Sequence, residues 1–290
     1  MKESITESLS EPCGGCDAPN WRLRRLVGGS VAIALLAIGW LAASGAKTAS
    51  AAPACKEIDH SHEAWSAVLR TNVEDGWVDY KNLSRSGRAS LDAYLNALSG
   101  PCAQNVASWT EKQRLAYWIN AYNAFTIALV LEHYPLASIR KIGLLPGAAF
   151  REEFIPIHST GEQKISLNDI EHEILRKQFN EPRIHFALVC AAKSCPILRS
   201  EAFRAADLDK QLTEQTRAFL ADRSKNRIDA KRGTLRVSKI FDWFSGDFEK
   251  GAGSVTKFIS GYIDAQSARA LSGSEPAIEY LDYDWSLNGS

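Results

Sequence analysis

The sequence of 290 residues lacks a charge bias, an internal repeat and the common nucleotide-binding and hydrolase motifs. Its 34 basic and 34 acidic residues give a formal net charge of zero. Because no basic stripe interleaved with aromatic residues is present, we expect no nucleic-acid partner. No GxGxxG, Walker loop, G-x-S-x-G or H-E-x-x-H motif occurs, so no nucleotide cofactor or zincin chemistry is predicted. A hydrophobic content of 45% excludes disorder and allows a sizeable core.

The N-terminus carries a charged and then apolar pattern. Three arginines within residues 22–25 precede an uncharged stretch, whose most apolar part is the 13-residue block 31–43. A membrane span needs about 20 apolar residues, so this block fits an export signal better. Residues 49–51 read Ala-Ser-Ala, a small-x-small cleavage pattern. We therefore predict a cytoplasmic n-region and export signal over residues 1–51. An uncleaved anchor in the inner membrane is the alternative, and it would be the only membrane contact.

The remaining residues, 52–290, are predicted to form one exported, periplasmic domain. Two of the six cysteines, Cys13 and Cys16, precede the apolar block and have no partners nearby to complete a zinc site. The other four are Cys55, Cys102, Cys190 and Cys195. In an oxidising compartment we expect a Cys55–Cys102 disulfide worth roughly 4 kcal/mol, with two unpaired thiols as the alternative.

Capping and periodicity predict most elements of this domain. Helices are expected over residues 61–70, 88–98, 110–133, 166–179 and 208–222, and strands over 77–80, 152–157, 227–230, 234–237 and 278–285. The strongest helix starts with a capping box of Thr110 and Gln113. Its 17 uncharged residues, 115–131, place apolar side chains on every face. We predict a helix buried all round, and a second membrane span is the rival explanation.

Two asparagines, Asn120 and Asn123, interrupt this apolar helix three residues apart. Once buried, both side chains need hydrogen-bond partners. They either satisfy the backbone of a crossing loop, or they orient a catalytic group or donate to an oxyanion. Glu171, on the helix predicted over residues 166–179, lies five residues from Arg176, which is too far for an ideal helical pair. It either faces inward or, as is commoner for a helical glutamate, is solvated.

Residues 183–196 read R-I-H-F-A-L-V-C-A-A-K-S-C-P and form the most informative stretch. Residues 184–189 have the composition of a strand buried on both faces. This strand would deliver two thiols, a hydroxyl and an amine to one loop. Cys195-Pro196 resembles a helix start, where the helix dipole would help the thiol to ionise. The alternative is that both cysteines fill the core.

Several separated motifs resemble the family called domain of unknown function 547. They are the A-Y-W-I-N-A-Y-N-A helix, the I-E-H-E-I-L-R helix, the H-F-A-L-V-C-A-A-K-S-C-P stretch, the S-K-I-F motif with W-F, and the terminal Y-D-W-S-L-N. The resemblance covers about residues 65–288. It implies an α+β fold with a central buried helix packed on a small mixed sheet, distantly similar in plan to papain-like thiol enzymes. The family pattern favours Cys190 as the functional cysteine.

A thiol nucleophile needs a base within about 2.6–3.2 Å and a group that orients this base. We consider Cys190 the nucleophile and His185 the base, with Glu171, Asn120 or Asn123 orienting it. Their separation of five residues would place Cys190 and His185 on opposite faces of a regular strand. A helix start would instead favour Cys195, so the choice between the two cysteines stays open.

Three functions follow from these residues. The first is a cysteine-dependent hydrolase or acyltransferase that acts on a peptide or small amide. The second is a non-catalytic binding or scaffold domain of the envelope. The third is a thiol redox or metal site built from the two cysteines and His185, whose C-x4-C spacing lies within the range of zinc ligands.

Overall fold

The computed structural model describes residues 55–229, 232–272 and 276–290. The predicted export signal and the Cys13–Cys16 pair lie outside these residues. Helices of six or more residues are Glu63–Asn72, Arg88–Leu98, Ala103–Ser108, Glu111–Glu132, Asp169–Leu175, Leu208–Ala221, Ser245–Ala252, Val255–Ser260 and Ala265–Ser272. The strands are β1 (Val73–Glu74), β2 (Trp77–Val78), β3 (Arg227–Asp229), β4 (Thr234–Ser238) and β5 (Ala277–Leu281). This mixture confirms the predicted α+β class, whereas the papain-like plan stays a prediction.

The central helix, Glu111–Glu132, confirms the strongest sequence prediction. Thr110 caps it, and the Gln113 side chain returns a bond to the Thr110 backbone. All residues from 115 to 131 are buried, so the apolar faces are covered by the domain itself. Within the described residues, no helix is both long and apolar enough to cross a membrane.

The sheets are small, with two strands in one and three in the other. β1 and β2 form an antiparallel pair, while β4 pairs antiparallel with β3 and parallel with β5. The predicted pairing of the hairpin strands is thereby confirmed. The strand predicted over residues 278–285 is present but ends at Leu281. The larger hydrophobic cluster surrounds the central helix, and a smaller, phenylalanine-rich cluster covers β4.

The strand predicted over residues 184–189 is wrong. Residues Pro182–Phe186 form a 3-10 helix, which the Glu181 side chain caps by accepting the Arg183 N–H. The backbone N–H groups of Ala187 and Leu188 both bond to the Ile184 carbonyl. β-branched and aromatic composition indicated burial correctly, but proline and the capping carboxylate favour a tight turn over an extended strand.

Two further local predictions also fail. No helix starts at Cys195-Pro196: residues 196–199 have no regular structure. From the helix Leu208–Ala221, the Gln215 side chain donates to the Ile197 carbonyl and the Gln211 side chain donates to the Ala202 carbonyl. Cys195 is therefore not at a helix N-terminus. The edge strand over residues 152–157 shrinks to one bridge between Ile155 and Ile165, since Pro156 cannot donate to a ladder.

Candidate functional site

Residues 187–196, here called the cysteine loop, are held from two sides. On one side, the Asn123 side chain donates to the Ala187 carbonyl (2.9 Å) and accepts the Val189 N–H (2.9 Å). The Asn123 side chain thus makes the backbone hydrogen bonds that a neighbouring strand would otherwise make. On the other side, the C-terminal segment accepts the N–H groups of Lys193 and Ser194. Between them, Ala191 adopts a left-handed φ of 58°, a conformation that persists only where surrounding contacts fix it.

The Asn120 side chain bonds in the same way to the backbone of a different segment. Its side chain donates to the Phe203 carbonyl (2.7 Å) and accepts the Phe203 N–H (3.0 Å). Both asparagines are buried and both bond to backbone groups of crossing segments. Their contacts therefore match the first of the two interpretations above, and Asn123 positions the loop that carries Cys190.

The cysteine loop closes over a cavity of about 40 Å³. The polar or reactive groups that line it are Glu171, His185, Cys190, Cys195 and Tyr283, and aromatic side chains form much of the remaining wall: Tyr122, Phe150, Trp243, Phe244 and Trp285. Four of the predicted site residues therefore meet at one place. Such convergence of titratable groups in an apolar cavity is typical of binding and active sites.

Cys190 and Cys195 form a disulfide in this structure, with their Cα atoms 6.2 Å apart. The two sulfurs differ in environment. Cys190 is half-buried, whereas Cys195 is 1% exposed. The Cys195 Sγ accepts the Cys190 N–H (3.0 Å) and the Tyr283 hydroxyl (3.2 Å). The Tyr283 oxygen also lies 3.4 Å from the Cys190 Sγ.

His185 is the buried imidazole of the site. Its Nε2 lies 2.8 Å from the Oδ2 of Asp247, and its ring stacks on Phe244 with centroids 3.9 Å apart. An ionised carboxylate can only accept a hydrogen bond, so Nε2 carries the ring proton and Nδ1 carries a free lone pair. Nδ1 is buried without a hydrogen-bond partner among the described residues. Burial lowers the pKa of His185, and the Asp247 charge offsets part of this effect.

Asp247 joins His185 to a second helix. Arg176 bonds both carboxylate oxygens of Asp247, at 2.5 and 3.2 Å, and its Nη1 lies 2.9 Å from the Nδ1 of His172. Burial acts to raise the pKa of Asp247, but the bonds from His185 and Arg176 outweigh it and hold this pKa well below its usual value. Sequence inspection missed Asp247, because an acid in the first turn of a helix is ordinarily a favourable partner of the helix dipole.

Glu171 faces inward, the less common of the two outcomes considered above, and is 8% exposed. Its helix, Asp169–Leu175, is a π-helix, in which the Arg176 N–H bonds to the carbonyl five residues back. Such wide turns occur often at functional sites. Burial raises the pKa of Glu171, while His172, Arg176 and a hydrogen bond from Tyr122 partly offset it. The carboxylate that bonds to the His185 ring belongs to Asp247.

The predicted disulfide, Cys55–Cys102, is also present, with a Cα–Cα distance of 5.2 Å. Among residues 55–229, 232–272 and 276–290, no group of three or more His, Cys, Asp or Glu side chains could hold a metal ion.

Comparison with known families agrees with the motifs. The family described as "Protein of unknown function, DUF547" matches residues 106–220, a segment that includes the central helix, the Glu171 helix and the cysteine loop. The resemblance to this family is thereby confirmed over residues 106–220. No curated protein and no solved structure shows a significant match to the chain.

Proposed function

We propose that this protein, once the Cys190–Cys195 disulfide is open, is a cysteine-dependent hydrolase or acyltransferase for a peptide or amide bond. The observation that carries the proposal is the Nδ1 of His185, which has no hydrogen-bond partner in the described part of the chain. Its buried ring is oriented by Asp247 and lines the same cavity as Cys190. A nucleophile, a base and an orienting acid are the parts that thiol acyl transfer requires.

The assignment gives each group one task. His185 Nδ1 takes the Cys190 thiol proton, and the thiolate attacks the substrate carbonyl carbon. The imidazolium, stabilised by Asp247, then returns the proton to the leaving amine, and a thioester on Cys190 remains. In the second half, His185 deprotonates a water molecule, which attacks the thioester and releases the acid and the Cys190 thiol. An acceptor amine in place of water makes the reaction an acyl transfer.

A Cys195→Ser variant tests this chemistry without reductant, because Cys190 then has no disulfide partner while Cys55–Cys102 stays closed. We expect p-nitrophenyl acetate at pH 6.5 to place an acetyl group on Cys190, detected by mass. In the same background His185→Ala should slow acetylation by about 100-fold or more, as loss of a general base does. His133→Ala, at an exposed position, is the matched control and should leave the rate unchanged.

Equal acetylation of Cys190 with and without His185 contradicts the proposal, provided that both variants show the same far-ultraviolet circular dichroism. Failure of any acetyl group to appear on Cys190 contradicts it as well. Iodoacetamide gives a second readout, since an activated Cys190 should be alkylated at pH 6–7, where an ordinary thiol with a pKa near 8.5 is mostly protonated.

A non-catalytic binding domain is the second candidate, and cavity size favours it. The cavity at Cys190 holds only about 40 Å³, whereas an open cleft of about 800 Å³ lies where the central helix and the helix Leu208–Ala221 begin, with Glu181 and Arg183 on its wall. A cleft of this size suits a peptide or a small ligand. Under this alternative, no variant forms an acyl adduct, and Cys190→Ser binds ligands as the parent does.

A further inference from the structure

We infer that the Cys190–Cys195 pair undergoes thiol–disulfide exchange, with Cys190 as the sulfur that an external thiolate attacks and Cys195 as the sulfur that leaves. This activity is separate from the proposed acyl transfer and does not depend on it. The inference comes from the unequal surroundings of the two sulfurs, which the geometry of the cysteine loop imposes.

Access selects the attacked sulfur. Exchange requires the incoming thiolate to reach one sulfur of the disulfide. Cys190 is half-buried at the cavity, while Cys195 is 1% exposed. An external thiol therefore meets Cys190 first, and an adduct with Cys195 would require the loop to open.

Hydrogen bonding selects the leaving sulfur. When the S–S bond breaks, the electron pair stays on the departing sulfur as a thiolate, and donors aimed at this atom lower the barrier. The Cys195 Sγ already receives the Cys190 N–H at 3.0 Å and the Tyr283 O–H at 3.2 Å. Hydrogen bonds to charged groups are stronger than those to neutral ones, so both bonds strengthen as the charge develops.

The exchange is balanced with a thiol, RSH, as the co-reactant. The thiolate RS⁻ attacks the Cys190 Sγ, forming an R–S–S–Cys190 mixed disulfide, and the electron pair of the broken bond leaves on Cys195. A second RS⁻ attacks the R sulfur, releasing RSSR and the Cys190 thiolate, and solvent supplies two protons. The protein gains two electrons, and the two RSH molecules lose them. The reverse reaction reoxidises the pair, with Cys195 displacing RS⁻ from Cys190.

Glutathione is the probe for this reaction. The folded parent is incubated with reduced glutathione, quenched with an alkylating reagent, and each cysteine is scored by mass. We expect the Cys190–Cys195 bond to open in the folded protein. Oxidised glutathione added to Cys195→Ser should leave a stable glutathione adduct on Cys190, whereas Cys190→Ser should leave Cys195 unmodified.

The Tyr283→Phe variant tests whether the Tyr283 hydroxyl promotes exchange or whether the disulfide opens only because it is accessible. Loss of its hydroxyl should slow opening of Cys190–Cys195 by about tenfold, the effect of a hydrogen bond to a charged group. The Cys55–Cys102 disulfide is the internal reference, and its opening rate should be the same in Tyr283→Phe and the parent.

Three results would overturn the inference: a Cys190–Cys195 bond that opens only in denaturant, a glutathione adduct on Cys195 in place of Cys190, or an opening rate that Tyr283→Phe leaves unchanged. The acyl proposal is judged separately, on Cys195→Ser protein that has no exchangeable pair. Acetylation without exchange, or exchange without acetylation, therefore identifies which of the two proposals fails.

Discussion

The His185 ring and the Asp247 carboxylate lie 2.8 Å apart although 62 residues separate them in the chain. The bond fixes the proton on Nε2 and leaves a lone pair on Nδ1, which has no hydrogen-bond partner among the described residues. It also ties the 3-10 helix before the cysteine loop to the helix Ser245–Ala252. Orientation of the imidazole ring and local packing therefore depend on the same contact.

Asp247→Asn should disturb the base without removing it. The asparagine amide can donate to Nε2, which moves the imidazole proton to Nδ1 and removes the lone pair from the cavity. In the Cys195→Ser background we expect alkylation of Cys190 by iodoacetamide at pH 6.5 to slow at least tenfold. Asp242→Asn makes the same chemical change at an ion pair with Lys239 and serves as the control. Equal rates for both variants would refute this role of Asp247.

Asn123→Leu should destabilise the domain through the cysteine loop. The change strands the buried Ala187 carbonyl and the Val189 N–H, and each unsatisfied group costs about 1–3 kcal/mol. Asn120→Leu should act similarly through Phe203. Urea unfolding gives the free energy. Asn96→Leu, at an exposed helical position, is the matched control, and a loss no larger than that of this control contradicts the assignment.

His62 should make the fold sensitive to mild acid. Its ring is 1% exposed, and its Nδ1 lies 2.8 Å from the Tyr94 hydroxyl. Burial, with a smaller contribution from the nearby His60, lowers the pKa of His62 to about 4. The unfolded chain binds a proton near pH 6.5 and the folded chain only near pH 4. The contribution of His62 to the free energy of unfolding is therefore fully present above pH 6.5. Below pH 6.5 this contribution falls by about 1.4 kcal/mol per pH unit.

Urea unfolding between pH 7 and pH 4.5 measures this slope. His62→Gln should flatten it, whatever the variant does to stability at pH 7, whereas His133→Gln at an exposed position should keep it. His185 and His172 also have lowered pKa values because of burial, so part of the slope remains. A parent and a His62→Gln variant with identical slopes would count against the assignment.

The Cys55–Cys102 disulfide should contribute roughly 4 kcal/mol, since it closes a loop with a sequence separation of 47. Cys102→Ser isolates this contribution, because Cys102 is the N-cap of the helix Ala103–Ser108 and serine is a good N-cap residue. The variant and the parent should differ in thermal midpoint under oxidising conditions and converge in reductant. A difference that persists after reduction would assign the effect to packing.

Export of the domain is predicted from residues 1–51. With a C-terminal tag, cell fractionation should recover the protein in the envelope or periplasm, either shortened by cleavage or anchored at full length. Two disulfides are in keeping with an oxidising compartment. Full-length protein in the cytosol would refute the prediction, and replacing the arginines at positions 22–25 by glutamate should impair export.

The sequence predicted the structure correctly wherever a stretch of chain is determined by its own local interactions. The capping box at Thr110, the apolar faces of residues 115–131 and the pairing of β3 with β4 are set by neighbours in sequence, and all three appear as predicted. The sequence also identified Glu171, His185, Cys190 and Cys195, because reactive or titratable side chains within apolar stretches need partners. They line one cavity.

Only the tertiary structure decided what these residues contact. Residues 184–189 have strand composition, but the side chain of Asn123 supplies the hydrogen bonds that a neighbouring strand would have offered, so no sheet forms there. The partner of His185 is Asp247, and the partners of Cys195 are Cys190 and Tyr283. Periodicity reports which face of an element is apolar. It carries no information on which distant segment supplies a single carboxylate or hydroxyl, and such long-range contacts determine the chemistry of this site.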